Sequence, residues 1–167
     1  MLDRDFFRRD ATVLAPELVG KILVRKTVDG KLLRYRITET EAYCGANDTA
    51  CHASKGKTRR SEMLWHDGGI IYVYLCYGMH WMMNIISGFE GDPQGVLIRC
   101  CENAEGPGKL TKALGIDGSY NGRDILDCDD LWLEYDGTKV DITLDKRVGI
   151  NYAAEKDREA LLRYKMR

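Results

Sequence analysis

The chain lacks any apolar run approaching the ~20 residues that would span a bilayer, and its N-terminus, MLDRDFFRRD, lacks the apolar centre of a secretory signal. These absences argue against a membrane protein and lead to the expectation of a cytoplasmic one, nucleoid-associated if bacterial. Its six cysteines, at 44, 51, 76, 100, 101 and 128, include no CxxC pair, so reduced thiols acting as small hydrophobes are expected rather than a disulfide framework. The zinc pattern HExxH and the P-loop spacing GxxxxGK[ST] are missing as well. With no internal repeat, low-complexity tract or long linker, 167 residues and 19.0 kDa read as one domain, 1–167. A net charge of −1 lacks the basic excess of many nucleic-acid binders. The average hides segregation, however: residues 21–60 hold ten Lys/Arg against four Asp/Glu, and residues 117–145 two against nine. A basic half facing a polyanion, with the acidic half turned away, is compatible with this pattern.

What is present centres on ITETEAYCGANDTACH, residues 37–52. As the end of a β-strand it places Glu39, Glu41 and Tyr43 on one face and Thr38, Thr40 and Ala42 on the other. An unpaired carboxylate on a buried face is costly and needs a partner or a task; a solvated face is the alternative.

Residues 11–19 carry helical spacing and stop at Gly20. Residues 21–27 and 32–43 read as a hairpin turned at Asp29-Gly30. From Gly45 to Gly69 there is little periodicity, and the basic run KGKTRR offers Lys55, Lys57, Arg59 and Arg60 as phosphate contacts or as solvated charges. IIYVYLCYGMHWMMNIIS (70–87) predicts a second hairpin, with Tyr72 and Tyr74 on one face and Asn84 as a polar residue in an apolar run. Its tip exposes Tyr77 and Met79, large side chains with no core to enter. Arg99 interrupts the buried-type strand 95–101 and needs an acid partner, for which Glu41 is a candidate. GPGKLTKALG (106–115) predicts a short helix, and Lys109 near its start is a weak phosphate candidate. LWLEY and KVDITL are expected to form a further strand pair about Asp136-Gly137, and residues 153–167 an amphipathic helix. The fold class expected is α+β: a curved, mostly antiparallel sheet with peripheral helices and a protruding β-hairpin.

ITETEAY with a His nine residues beyond the Tyr, then YVYLCYGMHWMMN, GVLIR, GPGKLTKAL and RVGI in that order, resembles the alkyladenine (3-methyladenine) DNA glycosylase family. The resemblance runs from about Phe6 to Tyr164, and implies a curved-sheet domain whose hairpin enters the minor groove of double-stranded DNA containing damaged purines. It implies Glu41 as general base for the water attacking the sugar C1′, with Arg99 and the backbone carbonyl of Val148 holding that water. Tyr43, His52 and Tyr74 would line a pocket for an extruded base, Asn84 would crowd the exocyclic group of guanine, and Tyr77 would fill the gap in the stack. No cofactor or metal is implied, and a monomer is expected. Two departures from the family pattern are a short segment, CENAE, before GPGK and an early end after LLRY.

Two rival readings stay open in the sequence. A metal-dependent hydrolase would draw ligands from Glu41, Cys44, Cys51, His52, His66 and His80, at spacings matching no zinc pattern. A non-catalytic DNA-damage binding module would keep Tyr77 and the basic loop yet have no use for a carboxylate beside an aromatic pocket.

Overall fold

In the computed structural model, which describes residues 2–167, two short helices, α1 (Arg4–Phe7) and α2 (Ala11–Leu18), open the chain. Asp10 caps α2 by accepting from the Thr12 amide. The hairpin β1 (Ile22–Lys26) and β2 (Leu32–Tyr43) follows, Ile22 opposite Arg36. The aperiodic segment after Gly45 winds through short 3₁₀ turns at His52–Lys55 and Glu62–Trp65. The second hairpin, β3 (Ile71–Cys76) and β4 (His80–Ser87), is joined by Tyr77-Gly78-Met79. Beyond it come β5 (Gln94–Cys101), β6 (Ala104–Glu105), α3 (Pro107–Leu114), β7 (Leu131–Glu134), β8 (Ile142–Asp145), α4 (Glu155–Glu159) and β9 (Arg163–Met166).

The strands join in the order β3-β4-β5-β2-β1-β7, with every pairing antiparallel. The curved sheet and few helices make the α+β class. β5 lies along one edge of β2, placing Leu97 opposite Glu41; β1 and then β9 take the other edge, placing Arg163 opposite Glu41. The pairing of β2 with β5 slips between Ile37 and Thr40, which adds a residue to one strand and resets its faces. Ile37, Thr40 and Ala42 are consequently all buried on the core side, the Thr40 hydroxyl donating to the Ala15 carbonyl of α2 at 2.8 Å. Glu39, Glu41 and Tyr43 turn to the opposite face.

Three expectations need correction. β7 pairs with β1 and β8 with β9, not with each other: Asp136, between them, is held by Arg36 at 2.7 Å and caps Thr138, steering the chain away. The C-terminal segment forms only the five-residue α4 before becoming strand β9. Its residues Arg163–Lys165 find free ladder positions on β2, and Tyr164 is buried there; tertiary pairing overrides a weak helical pattern. The basic and acidic stretches, finally, do not face apart: Arg25 pairs with Asp130 at 3.2 Å, Arg34 with Glu134 and Arg36 with Asp136. Among the described residues no helix is long and apolar enough to cross a membrane.

Candidate active site

Glu41 sits mid-sheet with its carboxylate fully buried. One oxygen accepts the Val148 amide at 2.7 Å, the other the Tyr43 hydroxyl at 2.8 Å, and the Arg99 Nε lies 3.7 Å away. Arg99 is closer to Glu39, at 2.9 Å, and Glu39 is also held by Arg163 at 3.2 Å. The acid partner of Arg99 is thus a pair, Glu39 in contact and Glu41 behind it. Desolvation pushes the Glu41 carboxyl above the usual carboxylate range, against the opposing pull of Arg99, the Val148 amide and the Tyr43 hydroxyl.

Two concavities meet on this face. A narrow slot is walled by Tyr43, His52, Tyr72, Tyr74 and Tyr152, with Asn84 in its lining. The wider groove beside it takes in Arg60, Tyr77, Arg99 and Val148. Strand alternation places Tyr72 and Tyr74 on one face of β3, their ring centroids 5.3 Å apart, with Ile71 and Val73 in the main core behind. His52 meets the Tyr74 ring edge-on at 4.7 Å and its Nδ1 lies 2.8 Å from the Tyr72 hydroxyl. Burial, then Arg60 and Lys55, lower the His52 pKa and keep the imidazole neutral at pH 7. Asn84, opposite Tyr72 in the ladder, donates to the Tyr72 carbonyl at 3.2 Å.

At the hairpin tip Tyr77 is 89% and Met79 69% exposed. Tyr77 and Gly78 both take positive φ, 51° and 68°, the backbone a tight hairpin demands; for a tyrosine that costs about 1–2 kcal/mol. Lys55, Lys57, Arg59 and Arg60 lie on an exposed loop, and Arg60 reaches the Leu75 carbonyl at 3.0 Å with its guanidinium over the Tyr74 ring. Lys109 is exposed in the first turn of α3, two residues beyond Pro107 of the groove.

The model of the methylpurine-DNA glycosylase family matches residues 5–167. The chain belongs to that family. Among its relatives are proteins named provisionally as 3-methyladenine DNA glycosylases. That of Psychrobacter cryohalolentis is 40% identical, over 95% of this chain and 88% of its own length. Those of Borreliella afzelii, 43% identical, and Legionella pneumophila, 42%, each cover 98% of this chain and 94% and 92% of their own lengths. As a DNA glycosylase it is a hydrolase of N-glycosidic bonds. The candidate metal ligands do not converge in this glycosylase: among the described residues no group of three His, Cys, Asp or Glu side chains is placed to hold an ion.

Three further residues of this candidate site carry no functional assignment from the sequence. Tyr72, assigned only to a strand face, is the hydrogen-bond partner of His52. Arg147 is buried, bidentate on Asp48 at 2.6 and 2.9 Å, with its guanidinium 4.9 Å from the Tyr43 ring. Tyr152 lines both concavities. Arg147 directly precedes Val148 within RVGI, which is the one sequence signal that could have flagged it.

Proposed function

We propose that this chain, as a single domain and a monomer, is a monofunctional glycosylase. It rotates alkylated purines such as 3-methyladenine, and deaminated purines such as hypoxanthine, out of duplex DNA and hydrolyses their glycosidic bond to leave an abasic site. The observation that carries this reading is the buried Glu41 carboxylate, tied to Tyr43 of the slot and Val148 of the groove. A base within the stack is out of reach, so a glycosylase must extrude it. Tyr77, on an exposed tip, supplies a wedge for the vacated space, with Met79 beside it in the groove. Lys55, Lys57, Arg59, Arg60 and Lys109 hold phosphates.

Tyr43, Tyr74 and His52 sandwich the extruded base. Alkylation at N3 or N7 makes the purine cationic and a better leaving group, and aromatic faces favour a cation by about 0.5–2 kcal/mol per well-placed ring. A neutral His52 adds its ring without charge repulsion. Asn84, its amide committed to the Tyr72 carbonyl, is held where it crowds the exocyclic amine of guanine. Glu41 takes the proton of a water as that water attacks C1′, and its raised pKa makes it a stronger base than an exposed carboxylate. Arg99 and the Val148 carbonyl orient the water.

The test is a duplex carrying hypoxanthine or 1,N6-ethenoadenine, incubated with protein and then treated with alkali. Strand breaks at the lesion are expected with the native chain. Glu41→Gln should lower the excision rate by about 10²–10⁴-fold while still shifting the damaged duplex on a gel. Undiminished turnover by that variant would refute the role of Glu41.

A further inference from the structure

Four side chains border both the slot and the groove: Tyr43, His52, Tyr74 and Tyr152. The first three already have roles above. Tyr152 comes from the turn after RVGI and has none.

Its arrangement inverts that of an ordinary surface tyrosine. Such a residue buries its ring and leaves its hydroxyl wet. Here the hydroxyl donates to the Ala50 carbonyl at 2.8 Å while the residue is 64% exposed. Ala50 is itself buried, two residues before His52, in a small cluster with Ile150 and Ala153 against Tyr43. The polar end of Tyr152 is therefore fixed to the loop that carries His52, and what faces outward is an aromatic ring at the mouth. A ring already held in place loses little freedom when a second group settles on it.

We propose that Tyr152 is a specificity-determining wall of the site, its ring contacting the extruded nucleotide and favouring cationic, N-alkylated purines over neutral ones. This rests on the glycosylase reading and extends it to a residue outside the motifs. The electron-rich face of the ring attracts a cation electrostatically, whereas a neutral purine gains only the contact. The ring supplies the preference, and the hydroxyl sets its position.

Single-turnover excision of 3-methyladenine, which is cationic and, like hypoxanthine, lacks the 2-amino group of guanine, and of hypoxanthine, which is neutral, is compared for the native chain, Tyr152→Leu and Tyr152→Phe. Leucine preserves apolar bulk at an exposed position, so folding is not at stake; thermal denaturation checks this. The 3-methyladenine to hypoxanthine rate ratio should fall about tenfold in Tyr152→Leu and hold in Tyr152→Phe. An unchanged ratio in Tyr152→Leu, whether both rates fall together or neither does, overturns the proposal, as does an equal fall in Tyr152→Phe. A native chain that excises neither lesion overturns the glycosylase reading instead, a failure visible before any variant is compared.

Discussion

Glu41 shows how one residue trades stability for chemistry. Its carboxyl has a pKa raised by burial above the ordinary 4.5, so between those two values the unfolded chain has released a proton that the folded chain retains. By linkage, stability then falls as pH rises through this window, and above the folded pKa the full penalty persists. Glu41→Gln removes the titration yet keeps an oxygen for the Val148 amide. The stability difference, variant minus native, should therefore grow as pH rises from about 4.5 and level off above the folded pKa, which urea denaturation from pH 4 to 8 can follow. The same group sets the acid limb of excision: kcat/KM should decline with falling pH at a value above that of an exposed carboxylate. A limb at or below 4.5 would remove Glu41 as the titrating base.

At the scale of elements, the site depends on a clamp between two loops and the end of a strand. Arg147 donates to the Ala42 carbonyl at 3.0 Å, to both Asp48 oxygens and to the Asp157 carbonyl at 3.3 Å. Asp157 in turn accepts the Thr49 amide at 2.9 Å, and the Thr49 hydroxyl accepts the Ala154 amide. These bonds hold the loop bearing His52 against the loop bearing Val148 and Tyr152. Removing one partner of a buried pair leaves a desolvated charge, so Asp48→Asn or Arg147→Gln should each cost about 3–5 kcal/mol. The double variant Asp48→Asn/Arg147→Gln should cost less than the two single losses summed, and chemical denaturation of the four species measures the coupling. Additive losses would show that no such pairing energy exists.

This clamp also marks where sequence stops being legible. Strand alternation along ITETEAY and YVY placed Glu41 with Tyr43 and Tyr72 with Tyr74, because a two-residue period is a local property. The slip in β2 that turns Ile37 and Thr40 to the same side is decided by how β5 and β9 meet it. Likewise Arg163–Met166 becomes a strand because β2 has an open edge there, and Arg147 finds Asp48 across 99 positions. Such pairings depend on tertiary neighbours that no local window contains.

For the whole molecule, the distribution of charge decides which face meets a polyanion. Arg25, Arg34 and Arg36 are tied to Asp130, Glu134 and Asp136 across the β1-β2-β7 part of the sheet, so that region has little field to offer. Lys55, Lys57 and Arg59 are exposed on the segment that runs from His52 to Arg60, both of which line the groove. Each phosphate contact made by a basic side chain releases condensed counterions and adds about 0.9 to the slope of log affinity against log salt. Replacing Lys55, Lys57 and Arg59 together by Gln should lower that slope by about 2–3. Because phosphates carry no sequence or damage information, the loss should be the same on lesion-bearing and undamaged duplexes. Replacing Arg34 and Arg36 by Gln should leave the slope unchanged. Fluorescence anisotropy titrations between 50 and about 300 mM salt, a range in which such contacts dominate, separate the two sets. A triple variant with the native slope would mean that the duplex approaches by another face, and with it the placement of the Tyr77 wedge would fall.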